Sequence, residues 1–143
     1  MNWYKLAASK PKAVHLSGVL KENNGFYYLD IDTRIVAPFL NMINDDNVVH
    51  PRQVTRRSHD VGTHVSVIRD EELNGRKVKE VGERFDFRIS GMEKVNPESW
   101  DDVGEVYFLT LKSEALEDLR SKYDLRRKYQ GHDFHITVGV VPK

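Results

Sequence analysis

The chain reads as an α+β fold, an antiparallel sheet with helices packed against one face, and three features of the sequence predict it. An Asn-Gly turn signal lies between two apolar runs near the start. Two later stretches carry apolar residues at helical spacing. Two further β-branched runs, Gly62-Thr63-His64-Val65-Ser66-Val67-Ile68 and Phe134-His135-Ile136-Thr137-Val138-Gly139-Val140, share one design: a His followed two places on by a hydroxyl residue.

Val14 to Leu20 and Phe26 to Ile31 flank Asn23-Asn24-Gly25 and predict a hairpin. Ile35, Val36, Phe39, Leu40 and Ile43 then recur at helical spacing. Asp32 or Thr33 serves as N-cap, and Pro38 either kinks this helix or marks its first turn. Asp45 to Asp60 is polar, contains Pro51 and reads as a loop holding Arg52, Arg56 and Arg57. The first His motif is the third strand. Arg69 to Glu80 is charged and turn-rich around Asn74-Gly75. Phe85, Phe87 and Ile89 alternate with Arg84, Asp86 and Arg88, the pattern of a half-buried strand. Gly91 to Gly104, with Pro97 and Trp100, reads as a loop, and Val106 to Leu111 as a strand. Ser113 caps a helix whose Leu116, Leu119 and Tyr123 share a stripe, Gly131 ends that region, and the second motif is the last strand. The order is β-β-α-β-β-β-α-β over a single domain, residues 1–143, with the two motifs as a degenerate internal repeat.

Composition narrows the function classes. The chain is 39% apolar and 31% charged, which suits a compact domain with a well-solvated surface and not a disordered chain. Formal charge is zero, so no global field draws in a long polyanion or an anionic membrane. The absence of Cys excludes disulfides, thiolate nucleophiles and Cys-based metal sites. The first ten residues lack the apolar core of a secretory signal, and no run approaches the ~20 apolar residues of a membrane span. A soluble cytoplasmic protein is the expectation.

Strand periodicity puts His64 and Ser66 on one face and Val65 and Val67 on the other, and likewise His135 and Thr137 against Ile136 and Val138. An ordinary imidazole titrates near pH ~6.5, so one ring accepts a proton while another donates one at working pH. Phosphodiester cleavage needs both steps, and hydroxyls can hold the phosphoryl oxygens on which charge grows. A lone His-x-Ser in a strand is as readily a hydrogen-bonded sheet residue. Two copies, each in an apolar run where a polar side chain needs a reason, favour the chemical reading.

These two motifs, His64-Val65-Ser66-Val67 and His135-Ile136-Thr137-Val138, resemble the paired His-x-Ser/Thr-apolar signatures of the 2H phosphoesterase superfamily. The resemblance implies two pseudo-symmetric lobes of antiparallel sheet, with flanking helices, around a central cleft. It implies His64 and His135 as an acid–base pair, Ser66 and Thr137 as phosphate-holding hydroxyls, and catalysis with no metal or other cofactor. In length and layout the chain is most similar to small phage members, among them the anti-CBASS nucleases that cleave cyclic di- and trinucleotide immune signals. That likeness implies a phosphodiesterase acting on 3′,5′ bonds of cyclic oligonucleotides in a host cytoplasm. The expected partner is a small nucleotide, with no duplex nucleic acid and no membrane. A 2′,3′-cyclic phosphodiesterase of RNA repair or turnover is the alternative enzyme, and a nucleotide-sensing module the alternative from another class.

A nucleotide also needs base-stacking and phosphate contacts. Trp100 is the candidate stacking platform, or else an indole folded onto the sheet. Tyr4 is a candidate lid, or an anchor for the chain end. Arg57, with Arg56 just before the first motif, is a candidate phosphate fork, or a solvated loop charge. His132 is a substrate contact or a surface residue, and Arg126-Arg127-Lys128 complements the end of the preceding helix.

Overall fold

The computed structural model describes residues 16–43, 47–49, 61–97 and 103–142. They form six strands: β1 (Leu16–Asn23), β2 (Phe26–Asp30), β3 (His64–Ile68), β4 (Arg84–Val95), β5 (Val103–Lys112) and β6 (Phe134–Pro142). Among the described residues three α-helices accompany them, α1 (Thr33–Met42), α2 (Asp70–Leu73) and α3 (Glu114–Lys122), with a 3-10 turn at Tyr129–Gly131. All strand pairs are antiparallel, in the closed order β1-β2-β3-β6-β5-β4. This is the antiparallel α+β architecture the sequence predicts. The two pseudo-symmetric lobes are not established by this order, because the strands form one closed sheet with the motif strands β3 and β6 as neighbours.

Local chemistry explains the elements. Asn24 and Gly25 both have positive φ, as the two-residue turn that joins twisted strands requires, and Asn23 pairs with Phe26 across it. Asp32, not Thr33, caps α1: its Oδ1 accepts from the Arg34 backbone N–H at 2.9 Å. Pro38 lies inside α1 and so does not mark its first turn. Ser113 caps α3, its Oγ accepting from Leu116 N–H at 3.1 Å.

One loop expectation needs correction. Gly91 to Val95 is strand, the outer half of β4, paired with β5 from Gly91↔Thr110 to Val95↔Val106. Gly91 reads as a breaker, but it follows a bulge at Ser90 and the ladder continues beyond it. The turn-rich stretch after β3 begins with α2, which Asn74 closes in the left-handed conformation.

The barrel is filled from the inward faces of its strands, with Leu20, Leu29, Val65, Leu109, Leu111 and Ile136 all fully buried. Each such side chain stabilises the fold by ~1.5–3 kcal/mol relative to exposure. Helix α1 lies against β6, where Gly139 permits the approach. A Cβ there would stand 2.8 Å from both Leu40 Cδ1 and Val48 Cγ2. Helix α3 packs on β4 and β3. No helix among the described residues is long and apolar enough to cross a membrane.

Candidate active site

Val65 of β3 pairs with Ile136 of β6, and both side chains are buried in the barrel. In an antiparallel pair this register sets His64 opposite Thr137 and Ser66 opposite His135, all on the face away from Val65 and Ile136. The two imidazoles are diagonal neighbours, a relation that sets residues ~7–8 Å apart, with their Cβ atoms somewhat closer. The flanking strands extend the pattern. Tyr28, Ser66, His135 and Thr110 form one row across the sheet, and Asp30, His64, Thr137 and Phe108 form the next.

Both motif strands carry a bulge at the residue after the hydroxyl. Ser66 and Ile68 face consecutive residues Tyr28 and Tyr27, leaving Val67 as the extra residue. Thr137 and Gly139 face Phe108 and Tyr107, leaving Val138 as the extra residue. A bulge shifts the alternation by one place. In β3 it keeps Val67 and Ile68 both buried and brings Arg69, not Ile68, to the face of His64 and Ser66.

The cleft beside this face has a volume of about 790 Å³, within the range of small-molecule sites. Ser66, His135, Thr137, Arg69, Phe108 and Thr110 are among its lining residues. His64 is not among the lining residues; its ring meets Phe26 and Tyr28 edge-on at centroid distances of 5.7 and 5.9 Å. His64 Nδ1 lies 2.6 Å from the Gly62 carbonyl oxygen. A carbonyl only accepts, so Nδ1 holds the proton and Nε2 is the nitrogen that gains and loses one.

His135 has a hydrogen bond to the Asp133 backbone, the residue two places before it, as Gly62 is to His64. Burial holds the His135 pKa below its ordinary value of 6.5, with the Arg69 charge adding to the effect and the Asp133 hydrogen bond opposing it. His135 is therefore a neutral ring at neutral pH. The Phe108 ring lies 5.2 Å from it, centroid to centroid.

Arg69 is held in an unusual way. Its guanidinium carbon sits 3.6 Å above the centre of the Tyr129 ring, and its backbone N–H donates to Glu72 Oε2 at 2.8 Å. Glu72 gives its side chain to a different cation. Arg120, 1% exposed, donates to both Glu72 carboxylate oxygens and also to the Val67 and Arg126 carbonyls. Among the described residues, buried Arg69 Nη1 has no hydrogen-bond partner, a state that costs ~1–3 kcal/mol. Beside it, Lys112 and Lys128 share Asp133, at 2.9 and 2.8 Å. These two lysines hold the Asp133 carboxyl below its ordinary pKa.

The structure thus brings His64, Ser66, His135 and Thr137 onto one face. Tyr4, Arg57 and Trp100 lie outside the described residues. His132 is exposed on the cleft wall. Lys128 also lines the cleft, half-buried and paired with Asp133, whereas Arg127 pairs with Glu117 and Asp118 of α3. Sequence reading passed over Arg69, Phe108, Thr110 and Tyr129. Parity within β5 would have put Phe108 and Thr110 on one face, but nothing in the sequence says that β5 lies beside β6.

Residues 27–143 match the family described as Swiss Army Knife, 2H phosphoesterase domain. No curated protein and no solved structure matches the chain.

Proposed function

The chain belongs to the 2H phosphoesterase family, which implies phosphodiesterase activity, and from that premise we propose a metal-independent cleavage of cyclic di- or trinucleotides by His64 and His135. The observation that supports this reading is the Val65↔Ile136 register, from which strand alternation carries His64, Ser66, His135 and Thr137 to one face of the sheet. His135, neutral through burial, is the general base. It takes the proton from a ribose 2′-hydroxyl as that oxygen bonds to the adjacent phosphorus. The bond from phosphorus to the 5′ oxygen breaks, and His64 Nε2 gives that oxygen a proton. Ser66 and Thr137 donate to the non-bridging oxygens, where negative charge grows. The product is a linear isomer with a 2′,3′-cyclic phosphate end, and no step passes through a metal. The partner is a small nucleotide, taken in a cytoplasm where such signals arise.

The test is a panel of 3′,5′-linked cyclic mono-, di- and trinucleotides and, separately, nucleoside 2′,3′-cyclic monophosphates, incubated in excess EDTA. Chromatography with mass detection should find cyclic di- or trinucleotide converted to a product of equal mass and different retention. Consumption of the 2′,3′-cyclic monophosphates alone would move the assignment to RNA repair or turnover. Tight binding without product would make the protein a sensing module. Loss of turnover in EDTA that added metal restores would contradict the scheme.

A further inference from the structure

We propose that Arg69 seats a second, non-reacting phosphate of the substrate, so that the cleft selects ligands carrying two phosphate groups. This rests on the phosphodiesterase reading above and goes beyond it by naming a residue that determines specificity.

Position comes first. The bulge at Val67 turns Arg69 onto the site face beyond the row of Ser66 and His135, on the side away from His64. The reacting phosphate belongs between the two diagonal imidazoles. Arg69, the residue after β3, stands about two residues' rise beyond Ser66, roughly 6–7 Å. An anion there is a neighbour of the reacting group and not the group itself.

The second point is how Arg69 is held. Its guanidinium is stacked on Tyr129, and among the described residues it forms no ion pair. Glu72 accepts from Arg69 only at the backbone N–H, and both its oxygens are bound by Arg120. Among the described residues Arg69 Nη1 is left buried with no acceptor, in a residue that lines the cleft. A guanidinium fixed on a ring, with no carboxylate partner among the described residues, suits a phosphate, which it can hold through hydrogen bonds from those of its nitrogens that face the cleft, Nη1 itself being closed off from solvent.

The third point is the local charge. Lys112 and Lys128 line the same end of the cleft and share the one carboxylate of Asp133. Glu93, the other carboxylate of the lining, pairs with Phe108 in the His64 row, so it lies toward the opposite end. In the repeat-equivalent place of β6, past its own bulge, stands Val140, which packs with Val103 and Val106. The cation is therefore a feature of one motif only, and the two ends of the site are chemically distinct.

Calorimetry tests this without any turnover. The four nucleoside 3′-monophosphates and the matching 3′,5′-bisphosphates are titrated into the wild-type protein, Arg69→Met and Arg69→Lys, with circular dichroism checking the fold of each. The second phosphate should tighten wild-type binding by about tenfold or more, as a charge-assisted pair of hydrogen bonds does. That ratio should collapse to near one in Arg69→Met and be kept in part by Arg69→Lys. A ratio near one in the wild type overturns the inference. So does a ratio that survives in Arg69→Met, including the case where both ligands weaken together. Failure of the parent reading would show elsewhere, as no turnover across the substrate panel.

Discussion

At the scale of single residues, His135 is the group whose environment most shapes the site. Its folded pKa lies below 6.5 through burial and the nearby Arg69 charge, which favours the neutral ring. The acid limb of the kcat/KM profile should therefore fall below pH 6.5. Arg69→Gln removes a positive charge that disfavours the imidazolium, so the His135 pKa rises and the limb moves to higher pH. A profile measured from acid to alkaline pH checks this, and an unmoved limb would show that Arg69 does not bear on His135. The four motif residues were legible in the sequence because a His and a hydroxyl inside an apolar run stand out by composition alone. Arg69 was not legible. Counting by twos from His64 reaches Ser66 and then Ile68, and only the bulge at Val67 makes Arg69 the third member of that face.

At the scale of elements, one buried cation ties the site's surroundings together. Arg120 of α3 reaches Glu72 of α2, the Val67 carbonyl of β3 and the Arg126 carbonyl beyond α3. Its side chain is 2% exposed and that of Glu72 12%, so removing one partner leaves a charge buried and unpaired. Glu72→Ala should cost about 3–5 kcal/mol in urea denaturation, while Glu72→Met with Arg120→Met should cost clearly less than Glu72→Ala alone. Equal losses would mean that the pair acts through packing and not through charge. The elements themselves were largely readable: the Asn-Gly hairpin, the Asp32 and Ser113 caps and the alternation in β4 follow from local chemistry. The continuation of β4 past Gly91 was not, because a bulge and a strand end look alike in one sequence.

At the scale of the whole molecule, closure of the sheet puts the two motifs side by side although about seventy residues separate them. The sequence held the repeat but not the strand order, since pairing depends on residues distant in the chain. The buried imidazole also links the site to stability. The unfolded chain takes up a proton at the ordinary His pKa, before folded His135 does as pH falls, so the unfolded state binds more protons. The contribution of His135 to stability is thus present above pH 6.5 and is lost as pH drops through its lower folded pKa. Urea denaturation at a series of pH values should give a stability that falls on acidification in the wild type and falls less steeply in His135→Gln. Parallel curves would contradict the burial.

The most direct test is the rate of cleavage, in excess EDTA, of whichever substrate the panel identifies, compared among wild type, His64→Ala, His135→Ala and the double variant. An acid and a base acting in one step predict a loss of about 10²–10⁴-fold for each single change, with the double variant little worse than the poorer single one. A single variant that keeps its rate within about tenfold of wild type would contradict the pairing of these two imidazoles, since one general acid or base is worth more than that.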